Sequence, residues 1–371
     1  MPDSKVKELV IGRHLRNGLL QAPTLAIVPH GTGADLSADH PTMHIDPTVV
    51  ESSWAALLQG QTHYVDVQGI ATLREALAVY LGEMGLAGHT EKSVMVTAGM
   101  QEARFLCVQM IGALFGKIAL PAVVHPGARK AAGVRRLGVQ TLPVDAAAGM
   151  LPTLSGIAQA LDTGCKLLYI ESPVRLTGAA FDEATLIKVG DLVRQAEAAV
   201  IWDQGAAPWV AAGRYASLAA ILSTRIAVIG EAWPGIGLEG LQVGYLAVLE
   251  GWLDAIRSQK QIMAICTSTP SQFAALKAPE VYARVHEAQR SQLASYRAEA
   301  ASLAQRMGFG PLPGVSAAVL ALKPASAADM NNRLAAAGFN AADGTDYGAA
   351  GVIRLAVTTD NAIARALQAL A

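Results

Sequence analysis

The sequence predicts an α/β protein: a large domain with a mostly parallel sheet covered by helices, plus a small α+β domain. Three observations predict it. From Ser93 onward, short continuous apolar runs alternate with amphipathic stretches, as expected for strands buried on both faces by crossover helices. A long helical stretch then leads into a tail that mixes short strands and helices. Finally, 52% of the 371 residues are hydrophobic and only 16% charged, against roughly 25% charged in an average soluble protein. Such a chain must bury much of its surface, and its length suits about two domains.

Residues 1–45, Gly/Pro/His-rich at Pro29-His30-Gly31-Thr32-Gly33, read as an N-terminal arm belonging to the small domain. Residues 46–250 form the large domain, and 251–371 a connecting helix and the C-terminal small domain. Helices are predicted over Asp46–Leu58 and Thr72–Met84, with Asp46-Pro47 and Thr72 as N-terminal caps. Strand Val94–Val96 precedes a helix from Gln101. The apolar segment Phe105–Val124 is interrupted by Gln109, Lys117, Pro121 and two glycines. A membrane span needs about 20 nearly uninterrupted apolar residues, so this segment reads as a buried helix, a turn and a buried strand. Strand Lys166–Ile170 leads to a helix from Asp182, and further strands cover Ala199–Trp202, Ile226–Ile229 and Val243–Val248. The stretch Trp252–Met307 is helical, with breaks near Thr269-Pro270 and Pro279. Strands near Ala317–Leu322 and Val352–Ala356 and helices at Ala327–Ala337 and Asn361–Ala371 complete the order.

A net charge of -1 argues against nucleic acid or an anionic membrane as partner. Cys107, Cys165 and Cys266 show neither disulfide nor metal spacing and read as buried thiols of a reduced, cytoplasmic protein. His63 and His89 lack partners at ligand spacing, so no metal is expected. The opening MPDSKVKELV has no long apolar stretch of a signal peptide.

Several motifs, in order, resemble the class I/II aminotransferases of the fold-type-I pyridoxal-phosphate (PLP) superfamily. Gln59-Gly60-Gln61-Thr62-His63-Tyr64, Gly69 and Leu73-Arg74-Glu75-Ala76 are similar to that family's "G-x-x-x-Y…G…LREA". Val96-Thr97-Ala98-Gly99-Met100-Gln101-Glu102-Ala103 resembles its strand–glycine loop–helix. His125-Pro126-Gly127 falls at an aromatic-Pro-Gly segment, and Ser172-Pro173-Val174-Arg175-Leu176-Thr177-Gly178 resembles "NPxNPTG". Asp203 ends a strand, like the family's pyridine-binding aspartate. Gly237-Leu238-Glu239-Gly240-Leu241-Gln242-Val243-Gly244-Tyr245 looks like "GLxGLRxGY". Tyr347-Gly348 through Gly351-Val352-Ile353-Arg354-Leu355 resembles the ending that supplies a carboxylate-binding arginine. The resemblance implies a homodimer in which Tyr64 reaches the partner's cofactor phosphate.

The departures concentrate in the cofactor pocket. The family's Schiff-base lysine falls, in the run from Glu231 to Gln242, on Pro234, and the nearest lysines, Lys188 and Lys260, lie far outside the motif. Proline can neither form that bond nor move the substrate's α-proton. Glu231 stands where a serine contacts the phosphate and Gln242 where an arginine does. Each such unit-charge change is worth roughly a few kcal/mol at partly buried separations. Arg175 replaces the asparagine at the cofactor's 3-hydroxyl, Ala206 a tyrosine, and His125 the stacking aromatic. The N-terminus after Gly99 remains as an anion site. Trp233 and Pro234 are expected to fill the vacated volume.

Three functions compete. The first is a repurposed, PLP-independent enzyme acting on a small carboxylate-bearing metabolite of a biosynthetic pathway. It would use Glu231, His125, Asp203 and Arg175 as acid–base groups, Asp203 pairing with Arg175. Arg354 and Tyr64 would bind substrate, and Gly99, Met100, Gln101, Trp233, Pro234 and Gln242 would form the remodelled pocket. On this reading no cofactor is expected, PLP only non-covalently. The second is a non-catalytic dimerising or metabolite-binding pseudoenzyme. The third is a residual enzyme of aminotransferase type that binds PLP or pyridoxamine phosphate (PMP).

Overall fold

The computed structural model describes residues 34–39, 41, 45–249 and 251–371. Most of the arm read from the sequence, including Pro29–Gly33, lies outside them. The order is β1 (Asp35–Leu36), α1 (Pro47–Leu58), α2 (Ala71–Glu83), β2 (Val94–Ala98), α3 (Gly99–Phe115), β3 (Lys117–Pro121), α4 (Pro126–Arg135) and β4 (Gly138–Leu142). A hairpin of β5 (Val144–Asp145) and β6 (Leu151–Pro152) follows, then α5 (Leu154–Asp162), β7 (Leu167–Glu171), α6 (Glu183–Gln195), β8 (Ala199–Asp203), β9 (Ile226–Glu231) and β10 (Val243–Val248). The remainder is α7 (Trp252–Ala264), α8 (Thr269–Ala275), α9 (Ala278–Arg306), β11 (Val319–Leu322), α10 (Ala327–Ala336), β12 (Asn340–Asp343), β13 (Ile353–Ala356) and α11 (Ala362–Gln368).

Seven strands form one sheet in the order β2-β10-β9-β8-β7-β3-β4. All are parallel except β10, which runs antiparallel to both β9 and β2. Continuous apolar strands such as Leu167–Ile170 and Ala199–Trp202 are buried along their whole length, because helices cover both faces. On one face Leu73, Leu77, Val96, Leu168 and Trp202 pack together. On the other, Leu106, Cys107 and Ile111 of α3 pack on Ile118, Leu120 and Ile229. A second sheet, β1-β12-β13-β11, joins the start of the described chain to its end, over a core including Leu36, Leu320, Ile353 and Leu367. No described helix is long and apolar enough to cross a membrane.

The local signals act as chemistry requires, with one correction. The Asp46 carboxylate caps α1 by accepting from the Thr48 N–H, with Pro47 in the first turn. Thr72 lies inside α2, whose N-cap is Ile70 with no side-chain cap bond. The break expected near Pro279 falls just before it, between Ala275 and Ala278, and Pro279 itself lies in the first turn of α9, where a missing N–H costs nothing. Strands β4 and β12 had no apolar signature because they are largely exposed or half-buried.

Candidate active site

The first turn of α3 opens onto a cavity of about 370 Å³, at the low end of the range for small-molecule sites. Gly99 starts the helix at φ +68°, a left-handed conformation that glycine adopts without strain. The first-turn N–H groups, including those of Gly99, Met100 and Gln101, have no acceptor within the helix and carry the positive end of its dipole. Close by, a Cβ at Gly244 would come within 2.7 Å of the Gly99 carbonyl carbon. That glycine lets β10 approach the helix start. Glu102 would repel an anion here, but its Oε2 accepts from the Ala98 N–H at 2.6 Å and from the buried Lys260 Nζ at 2.5 Å. Its charge is thereby matched.

Asp203, at the end of β8, is 1% exposed. Its Oδ2 accepts from Arg104 Nε at 2.9 Å and from the Tyr169 hydroxyl at 2.6 Å, and Oδ1 from the Gly205 N–H at 3.1 Å. Burial raises its pKa, but Arg104 and then Arg175 outweigh this, holding the carboxyl below its ordinary value. The ion pair expected between Asp203 and Arg175 is therefore made with Arg104. Arg175 instead approaches Glu231, Nη2 to Oε1 at 4.0 Å. Arg104 lies on the turn of α3 that faces β8, one helical step beyond the reach of the motif reading.

His125 caps α4: its Nδ1 accepts from the Gly127 N–H at 3.0 Å, which leaves the hydrogen on Nε2, 3.0 Å from Asp39 Oδ2. Burial and the Arg104 charge lower its pKa, so the imidazole is neutral at pH 7, with both nitrogens engaged. The Tyr347 hydroxyl also donates to Asp39, at 3.1 Å. Burial opposes ionisation of Asp39, but the His125 hydrogen bond and the Arg175 and Arg354 charges hold it well below its ordinary value. Behind His125, Glu171 accepts from the backbone N–H groups of His125 and Arg175. Burial and then the Asp203 charge push it up to about 7.

Arg354 was expected to offer its fork to a carboxylate. It is 1% exposed, and its Nε, Nη1 and Nη2 donate to the backbone carbonyls of Arg175, Ala38 and Asp39 at 2.9, 2.7 and 2.8 Å. The fork ties β13 to the chain around Asp39 and does not face the cavity. Tyr64 is 77% exposed and borders a separate cleft with Leu57 and Cys266.

Of the residues singled out from the sequence, Gly99, Met100, Gln101, His125, Glu231, Pro234 and Gln242 border the main cavity. Asp203, Arg175, Trp233, Arg354 and Tyr64 do not. Trp233 turns at φ +48° and packs against Tyr80, ring centroids 5.5 Å apart. It fills the core rather than the vacated pocket, and the cavity persists beside Pro234. Asp39, Arg104 and Glu239 add further charged groups to the wall. Arg104 had a signal in the sequence, a charge within the apolar face of α3. Asp39, from an irregular segment, had none. Among the described residues no group of His, Cys, Asp or Glu could hold a metal.

The family model for aminotransferase class I and II matches residues 35–370. The chain belongs to this family. Among its relatives, the aspartate/prephenate aminotransferase of Thermus thermophilus is 26% identical over 250 residues, 66% of this chain and 63% of that protein. The Thermotoga maritima aspartate aminotransferase is 24% identical over 293 residues, 76% and 74% of the two chains. The chain thus spans about 63% of the length of the Thermus relative it matches. Among solved structures, a double mutant of the Thermus thermophilus aspartate aminotransferase superposes with a TM-score of 0.85 at 21% identity, covering 100% of this chain and 96% of that one. The Thermotoga maritima enzyme superposes at 0.82 and 21%, over 100% and 96%. These likenesses establish the fold.

Membership of a PLP-dependent family overturns the expectation that no cofactor is used. The cavity has groups that suit such a molecule. The first turn of α3 can receive its phosphate, and Arg104, on the cavity wall, adds a positive charge beside it. The residues that would hold PLP are thus Gly99, Met100, Gln101 and Arg104.

Proposed function

We propose that this aminotransferase-family protein binds PLP or PMP without a covalent link, and acts with it on a small carboxylate-bearing metabolite of amino-acid or keto-acid type. Pro234 carries the reading. It stands eight residues before Gln242 and eleven before Tyr245, the place of the family's lysine, and it borders the cavity. No amine is present there to bond the cofactor or to carry the α-proton. PLP supplies an aldehyde and a ring that accepts electron density; the protein supplies position. The α3 N–H groups hold the phosphate, with Gln242 in place of the usual arginine, so retention rests on the helix dipole and first-turn donors. Glu231, at the cavity edge and 20% exposed in its side chain, is the group placed to exchange a proton with a ligand. Exposed Val50, Trp54, Leu57 and Leu58 on α1, with Ile262 and Met263 on α7, favour a homodimer that covers them. A cytoplasmic setting fits three cysteines without a disulfide.

Absorbance titration of the purified protein with PLP, followed by dialysis and borohydride reduction, tests this. We expect a chromophore that binds saturably, washes out on dialysis and leaves no mass adduct on the 226–245 segment after reduction. A reduced adduct on a lysine, or no binding at all, would overturn the reading.

A further inference from the structure

The Arg354 guanidinium is buried, and among the described residues it donates to main-chain carbonyls and to no carboxylate. Two of those carbonyls belong to Ala38 and Asp39, which border the main cavity while Arg354 does not. This short segment therefore stands between the fork and the cavity. It follows β1, lies outside every sheet, and places no side chain in a hydrophobic core. Hydrogen bonds hold it instead. Arg354 donates to its two carbonyls at 2.7 and 2.8 Å. The Asp39 carboxylate accepts from His125 Nε2 at 3.0 Å and from the Tyr347 hydroxyl at 3.1 Å.

We propose that Ala38 and Asp39 form an internal latch: the Asp39 carboxylate fastens the segment over Arg354, and a ligand's carboxylate reaches the fork only when the latch opens. This rests on the carboxylate-bearing ligand of the reading above and not on its cofactor. A guanidinium binds a carboxylate through two parallel charge-assisted bonds, which are stronger than its bonds to neutral carbonyls. The exchange favours the ligand at the fork. What opposes it is the pair of bonds that Asp39 gives up, each made to a charged acceptor. Its side chain is already 37% exposed, so opening moves the carboxylate into water and strands no buried charge. The affinity for a carboxylate is then reduced by the fraction of molecules in which the latch is closed.

Calorimetric titration with 2-oxoglutarate, a small keto acid, in the absence of PLP tests the latch. We expect Asp39→Ala to bind it about 10- to 100-fold more tightly than wild type, since two bonds to a charged group no longer hold the segment. Tyr347→Phe removes one of those bonds but keeps the Asp39 charge, and should gain about 3- to 10-fold. Arg354→Lys, which keeps a charge but not the fork, should cancel the gain when added to Asp39→Ala. No gain in Tyr347→Phe would overturn the latch, because any gain in Asp39→Ala would then be the mere loss of a negative charge. A gain that survives Arg354→Lys would overturn it too, by placing the ligand elsewhere. In either case carboxylate binding itself stands. If neither wild type nor any variant binds 2-oxoglutarate, the carboxylate reading fails and the latch with it, while PLP binding is decided by its own titration.

Discussion

Glu171 shows how a single buried carboxyl ties the cavity wall to pH. Its oxygens accept two backbone N–H groups, from His125 and Arg175, yet burial and the nearby Asp203 hold it up to about 7. In the unfolded chain it titrates at about 4.3. Because the folded value is the higher one, its contribution to stability is full below the unfolded value and falls as pH rises towards 7. We expect this group to subtract up to roughly 3 kcal/mol across that window. Urea unfolding between pH 4 and 8 should show that decline in wild type and a flatter profile for Glu171→Gln. Parallel profiles would mean that Glu171 is ionised throughout. Neither Glu171 nor Asp39 stood out in the sequence. A carboxylate closing an apolar strand resembles any strand end until the charge of Asp203, on the neighbouring strand, is brought beside it.

Among the elements, α3 matters most, because one helix supplies the anion end of the cavity, the Arg104 donor and part of the core. Its start depends on a buried ion pair, Glu102 to Lys260 of α7, with Thr267 Oγ1 3.1 Å from Nζ. Lys260 is 0% exposed. Removing one partner of such a pair costs about 3–5 kcal/mol, since the other charge is left buried alone. Lys260→Met should therefore lower unfolding stability by that order in urea titration. It should also weaken PLP binding, because uncompensated Glu102 would face the phosphate. The Lys260→Met, Glu102→Gln double variant should recover both in part; a double variant no better than the single would place the role of Lys260 elsewhere. The sequence showed Lys260 only as a lysine distant from the Pro234 motif. Its partner is 158 residues away, beyond what helical spacing can reveal.

For the whole molecule, low charge and high hydropathy receive a physical account. The seven-stranded sheet buries both faces, and the small sheet adds a third core. Apolar side chains nevertheless remain outside, with Trp54 44% and Ile262 83% exposed. A dimer burying them predicts that sedimentation of the wild type gives twice the chain mass, and that Trp54→Glu with Ile262→Glu shifts it towards the monomer. A wild-type monomer at micromolar concentration would refute this. The parallel sheet, the order of elements and the family were all legible in the sequence, because apolar periodicity and glycine-anchored turns are local properties. So was the place of Pro234, which the spacing to Tyr245 sets. The partners of the charged groups were not legible. Asp203 was expected to meet Arg175 and meets Arg104; Arg354 was expected to face a ligand and instead holds backbone carbonyls around Asp39. Which of several buried cations neutralises which carboxylate depends on distances of a few ångströms between elements far apart in the chain, and only tertiary packing decides those.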